Sequence, residues 1–220
     1  MLQERPANNF GIAFILAIIF AIGTGILILV LGKNGAFQLI NRNYNESLDQ
    51  FFKYFTHYGD GVMWAPLGLF CFFLKRKYFI AVLAGVIIST LLAQFLKLVV
   101  YPDELRPINY LSENFPVHLV DGVTIRKIHS FPSGHTTTAF TMVLIMAHLI
   151  NKKAWSIILP LLALLAGYSR VYLAQHFPTD VLAGMCIGIV SALLSLIIYR
   201  AFIKYIDKKV SSKKESTATL

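Results

Sequence analysis

Apolar residues in this chain do not alternate with polar ones; they come in long blocks. Phe10–Gly32 runs for 23 residues without a charge, and about 20 suffice to cross a bilayer as a helix. A cleaved leader would have a shorter apolar core of about 7–15 residues behind a basic lead, so the block is read as a first span. Five more follow. Val62–Leu74 is 13 residues and contains Pro66, and it borrows length from Phe51–Tyr58 or Asp60-Gly61. Tyr78–Leu96 is 19 uncharged residues. His135–Ile150 and Ala154–Gly167 are separated by Asn151-Lys152-Lys153, and Val181–Tyr199 is 19 further uncharged residues. Spanning barrel strands need only about 9–11 residues and alternate polar with apolar. The pattern therefore predicts an all-α, polytopic membrane protein, a bundle of six transmembrane helices.

Composition agrees: 56% of the 220 residues are hydrophobic and only 14% charged, against about 25% charged in soluble domains. The net charge of +9 raises the question of nucleic acid, and its distribution answers it. With both termini on one side, that side holds Arg5, Lys75-Arg76-Lys77, Lys152-Lys153 and the bases from Arg200 onward. These are 12 of the 20 Lys and Arg, against three of the 11 acids (Glu4, Asp207, Glu215). The whole excess lies on one face, as the positive-inside rule requires of cytoplasmic loops. The partners expected are a bilayer and no nucleic acid, with both termini cytoplasmic. Residues 1–205 are read as one transmembrane domain and 206–220 as a short basic, polar cytoplasmic tail, disordered from Ser211. Cys71 and Cys186 sit in apolar runs and offer no metal spacing.

Ionisable groups at membrane depth are costly and mark function. Most of them gather on the opposite, outer face. Lys97 ends the third span, and Arg106-Pro107 lies just beyond. Ser130-Phe131-Pro132-Ser133-Gly134-His135 opens the fourth span, Ser169-Arg170 ends the fifth, and His176 and Asp180 bracket the turn into the sixth. Three fixed cations and a helix N-terminus suit a tetrahedral oxyanion. Ser133 also reads as a helix N-cap. His176 and Asp180, four apart, can share one helical face, and a carboxylate on one ring nitrogen fixes the tautomer that leaves the other as a base.

The spacing Ser169-Arg170, five residues, His176, three residues, Asp180 resembles the third signature of the type-2 phosphatidic acid phosphatase superfamily, which includes lipid phosphate phosphatases and the vanadium haloperoxidases. Pro132-Ser133-Gly134-His135 resembles the second signature. Lys97 with Arg106-Pro107 resembles the first, with eight intervening residues where the family usually has six. The resemblance implies an integral-membrane hydrolase that removes phosphate from a lipid phosphate or diphosphate (phosphatidic acid, phosphatidylglycerol phosphate, polyprenyl diphosphate or lipid A type) through a phosphohistidine. His176 would be the nucleophile, His135 the general acid and base, and Asp180 the residue orienting His176. Lys97, Arg106, Ser133, Gly134 and Arg170 would hold the phosphate. No metal or other cofactor is expected. The implied setting is a bacterial cytoplasmic membrane with the site facing the periplasm. Two other readings stand beside this one: a phosphatase for a soluble ester, and a non-catalytic phospholipid-binding or transport protein.

Other features carry less. His148 reads as a packed residue, His57 and His118 as outer-loop residues near an entrance, and His129 as loop packing. Phe51, Phe52, Tyr54 and Phe55 suggest an interfacial amphipathic stretch. Asn45-Glu46-Ser47 fits a glycosylation triplet, and Gly184 with Gly188 predicts close helix packing inside the bundle.

Overall fold

The computed structural model describes residues 9–110 and 115–218, with side chains described through Ser211. It is all-helical: α1 (Phe10–Asn41), α2 (Glu46–Phe55), α3 (Trp64–Leu74), α4 (Arg76–Phe95), α5 (Gly134–Ile150), α6 (Lys153–Tyr172) and α7 (Pro178–Ala218). Four segments are long and apolar enough to cross a membrane: Phe10–Asn41, Arg76–Val100, Lys153–Tyr172 and Pro178–Ser211. Gly61–Leu74 and Gly134–Ile150 are shorter apolar helices. At 1.5 Å per residue, α5 measures about 25 Å.

α1 breaks at Gly32, where φ is 70° and ψ 171°. Glycine alone takes that backbone cheaply, and the first apolar block ends at the same residue. The stretch Phe51–Tyr58 does not lengthen the next span. Its first part, to Phe55, ends the separate α2, capped by Asn45, whose side chain accepts from Leu48 N at 2.9 Å. The glycosylation triplet thus lies at a helix start. Two 3₁₀ turns, Thr56–Gly59 and Gly61–Met63, then lead into α3. α7 continues as helix to Ala218, past the expected onset of disorder at Ser211. Glu4, Arg5 and residues 219–220 lie outside the described residues.

α5 is the central post. Ten of its 17 residues are buried, and two of its threonines turn their hydroxyls onto backbone carbonyls: Thr137 Oγ1 donates to Ser133 O at 3.0 Å, Thr141 Oγ1 to Thr137 O at 2.7 Å. Such back-bonding lets polar side chains sit in a core without orphaned groups. α7 packs on α5 through Gly184 and Gly188. A Cβ on Gly184 would stand 2.7 Å from Ser133 O, and one on Gly188 would stand 2.7 Å from Phe140 Cβ. The close approach expected from the glycine pair is therefore made within the bundle.

α1 lies outermost. Ile15, Ile19, Ile22, Ile26 and Leu29 are exposed on it, the surface that lipid chains cover in a membrane. At the end away from the site, Asn9 pairs with Asn151 through its backbone N at 3.0 Å and its side chain at 2.9 Å, tying α1 to the α5–α6 turn. His148 packs edge-on against Phe10, Tyr78 and Tyr199. At the site end, Asp49 of α2 accepts from the Tyr172 hydroxyl at 2.5 Å and meets His118 Nε2 at 3.0 Å. Phe52 is buried against Tyr168 and Tyr172. These contacts fix the amphipathic α2 across the end of α6.

Candidate active site

Four helix ends meet at one cavity of about 630 Å³. The end of α4 carries Lys97, the start of α5 Gly134 and His135, the end of α6 Arg170, and the approach to α7 His176. All five residues line the cavity together with Arg106. Exposure grades from floor to rim: His176 is 2% exposed, Arg106 3% and Arg170 8%. His135 and Lys97 are half-buried, and His57 is exposed.

Local sequence explains each placement. Lys97 lies in a π turn, Leu96–Val100, that ends α4. π turns recur at functional sites, and a bend and turns at residues 101–103 lead from it toward Arg106. Arg106 is held by main-chain carbonyls, donating from Nε to Ile128 O at 3.0 Å, from Nη1 to Gln175 O at 2.7 Å, and from Nη2 to His129 O at 3.2 Å. So fixed, Nη1 stands 3.5 Å from His176 Nε2. Burial, then the nearby Arg126 charge, push the Arg106 pKa down to about 10. Arg170 donates from Nη1 to Thr56 Oγ1 at 2.6 Å, while its buried Nε has no partner among the described residues. A buried guanidinium N–H without an acceptor is costly.

The His176 ring is oriented from behind. Its Nδ1 faces Asp180 Oδ2 at 3.4 Å. The same oxygen accepts from Ser130 Oγ at 2.5 Å and from Phe177 N at 3.0 Å. The carboxylate is thereby locked, and Nε2 is turned toward Arg106. Burial dominates the ring's protonation, bringing its pKa down to about 3 despite the hydrogen bond to Asp180. The imidazole is therefore neutral at ordinary pH, and a lone pair on Nε2 is available when Nδ1 carries the proton toward Asp180.

Ser133 is the exception among the expected phosphate contacts. It does not line the cavity. Fully buried, its hydroxyl caps α5 by accepting from Thr136 Oγ1 at 2.9 Å and Thr136 N at 3.4 Å. Its own N–H donates to Asp180 O at 3.0 Å. Ser133 thus joins the start of α5 to the first turn of α7, where the cap geometry that the sequence also allowed takes precedence. Gly134 does line the cavity, next to the helix N-terminus that favours anions.

Of the remaining histidines, His57 lines the rim, facing Asp60 at 3.4 Å. His118 is turned away, stacked on Tyr44. The His129 carbonyl serves Arg106. Sequence reasoning missed Arg126, Lys53, Thr56 and Gln175. Arg126 and Lys53 belong to no signature spacing, and the partnership of Thr56 with Arg170 is purely tertiary. Among the described residues, no group of three or more His, Cys, Asp or Glu side chains is arranged to hold a metal ion.

Comparison with known proteins accords with this geometry. The sequence model of the PAP2 superfamily matches residues 78–204, which contain every signature residue above. An undecaprenyl-diphosphatase of Sulfolobus acidocaldarius is 31% identical over 155 residues, 69% of this chain and 71% of that one. The crystal structure of Aquifex aeolicus LpxE superposes with a TM-score of 0.65 at 34% identity, covering 73% of this chain and 92% of that one. A PAP2-type phosphatidylglycerolphosphate phosphatase of Bacillus subtilis shares the fold, with a TM-score of 0.56 at 24% identity over 90% of this chain and 95% of that one. A family match over more than half the chain, together with a cavity built from all three signatures, means that the chain belongs to the PAP2 superfamily.

Proposed function

We propose that the protein is a membrane-embedded phosphatase that hydrolyses a lipid phosphate or diphosphate through a phosphohistidine. One observation carries the reading: His176, oriented by Asp180 and with Nε2 beside Arg106, lines a cavity that also holds His135, Lys97, Arg106 and Arg170. Nε2 attacks phosphorus in line, and the bond to the leaving oxygen breaks. His135 gives that oxygen a proton, and the alcohol or lipid phosphate departs. His135 then takes a proton from water, whose oxygen displaces the histidine and releases orthophosphate. Lys97, Arg106 and Arg170 neutralise the equatorial oxygens, the main requirement of phosphoryl transfer. Asp180 stabilises the charge that forms on His176.

In this reading α1, α3, α4, α5, α6 and α7 are six spans within one domain, residues 1–205, and 206–220 is its tail. Both termini lie in the cytoplasm of a bacterial cell and the cavity opens outward. The positive-inside rule supports this: Lys75-Arg76-Lys77, Lys152-Lys153 and the bases from Arg200 lie at the helix ends opposite the cavity. Catalytic groups at helix ends lie at headgroup depth, which favours lipid over soluble substrates. The oriented nucleophile and its paired acid exceed what a binding or transport protein needs.

The test is phosphate release by purified protein from mixed micelles of phosphorylated lipids, beside a soluble sugar phosphate and a chelator control. Release from lipid is expected, insensitive to chelator and lost in His176→Ala with the melting temperature retained. Near-wild-type turnover by His176→Ala, or abolition by chelator, overturns the mechanism; equal rates on the sugar phosphate overturn the lipid assignment.

A further inference from the structure

The cavity holds more positive charge than the three signature cations supply. Arg126 and Lys53 also line it, and neither falls in a signature. We propose that Arg126, assisted by Lys53, forms a second anion subsite that binds the inner phosphate of a lipid diphosphate. The proposal rests on the phosphatase reading above and narrows its substrate class.

Arg126 is an exposed residue in an otherwise fastened loop. On one side, Thr124 O accepts from Gln175 Nε2 at 3.1 Å, and Gln175 precedes the nucleophile. On the other, Lys127 O accepts from Arg106 N at 3.0 Å and from the Asn109 side chain. Ser130 N donates to Glu104 O at 2.9 Å. A loop pinned at both flanks to catalytic neighbours presents its side chain in a defined place. The Arg126 guanidinium has no hydrogen bond or ion pair among the described residues. Its charge nonetheless acts on the buried Arg106 in the same cavity. Five cations, Lys53, Lys97, Arg106, Arg126 and Arg170, line the cavity with one carboxylate, Asp60, and such an excess of like charge disfavours the empty state and favours a polyanion.

Lys53 reaches the same cavity from α2. Its Nζ donates to Asp121 O at 2.7 Å, leaving two ammonium protons for a ligand. Gly122, with φ of +77°, lies beside the ammonium: a Cβ there would stand 2.6 Å from Lys53 Nζ.

Direction decides which phosphate goes where. His176 lies on the buried floor, and in-line displacement sends the leaving group away from it. A diphosphate attacked at its terminal phosphorus therefore carries its second phosphate from the floor toward the rim, where Arg126 is exposed and Lys53 half-buried. The bond between terminal phosphorus and bridging oxygen breaks, a lipid monophosphate leaves with a proton from His135, and water releases orthophosphate from His176.

The test uses farnesyl diphosphate and farnesyl monophosphate in the same micelles, so that the substrates differ by one phosphate. For Arg126→Ala, the ratio of kcat/KM on diphosphate to that on monophosphate should fall roughly tenfold to a hundredfold, the worth of a charged hydrogen bond. Arg126→Glu should depress the ratio further. An unchanged ratio overturns the subsite, whether both activities fall together or neither does. A wild-type protein that hydrolyses the monophosphate but not the diphosphate also overturns it while leaving the phosphatase reading intact. Loss of both activities in the wild type overturns the phosphatase reading itself.

Discussion

The contact between α7 and α5 makes a demanding prediction, because it concerns a residue that touches no substrate. Gly184 lies one turn beyond Asp180, over the N-terminus of α5. A methyl group there would stand 2.7 Å from Ser133 O, 2.9 Å from Thr136 Cβ and 3.3 Å from Thr137 N. Two of these neighbours are backbone atoms of a capped first turn and cannot swing aside. For the contact to reach 3.4 Å, the near edge of ordinary packing, the helices must part by about 0.7 Å. That separation stretches the bond from Ser133 N to Asp180 O, now 3.0 Å, and moves the His176–Asp180 pair relative to His135. Overpacking of this kind costs about 1–3 kcal/mol, and a displacement near 1 Å at reacting groups costs on the order of 10²-fold in rate. Gly184→Ala should thus lower kcat by roughly tenfold to a hundredfold and reduce the melting temperature in detergent. Gly23→Ala is the matched control, since nothing lies within 4 Å of a Cβ at Gly23. Full activity and stability in Gly184→Ala would show that the two helices slide freely, and the site could not then depend on their register.

Gly59 poses the same question from the other side: its Cβ would meet His135 O at 2.9 Å, so Gly59→Ala should reduce kcat with little change in KM, read in the same micellar assay. Asp180→Asn leaves the volume intact but removes the carboxylate behind the ring, and kcat should drop by roughly 10²–10⁴; a loss under threefold contradicts an orienting role. The rate should be bell-shaped in pH. Because the His176 pKa is brought down to about 3, its acid limb should fall well below pH 6.5. Stability carries the complementary sign. Between about pH 6.5 and 3 the unfolded chain binds a proton at this position that the folded chain refuses, so acid lowers stability through that window. His176→Gln should flatten that part of a melting-temperature profile.

What the sequence made legible follows from how each group is constrained. The apolar blocks were plain because a bilayer demands length and lack of charge, and the break of α1 at Gly32 coincides with the end of one block. The third signature was plain because Arg170, His176 and Asp180 lie within a single helix–turn–helix passage. Local spacing there is nearly the tertiary geometry. Ser133 shows where such reasoning stops, since a serine at a helix start can face a ligand or cap the helix, and only the packing of α7 against it decides. α2 was hidden because its aromatic residues are common to an extended span and to a surface helix; the Asn45 cap and the Tyr172–Asp49–His118 contacts choose between them. Arg126 was the least visible of all. It follows no spacing rule, and its position comes from three backbone contacts made by its neighbours, Thr124, Lys127 and Ser130. In such a site the residues that perform the chemistry are fixed by local spacing and can be read directly. In the subsite proposed above, Arg126 sits on a loop held by main-chain contacts, which many sequences of similar length can make. Relatives with the same floor of histidines and arginines can therefore differ in substrate through the rim alone, and swapping residues 121–127 between two such proteins should transfer headgroup preference without moving kcat on a shared substrate by more than a few fold.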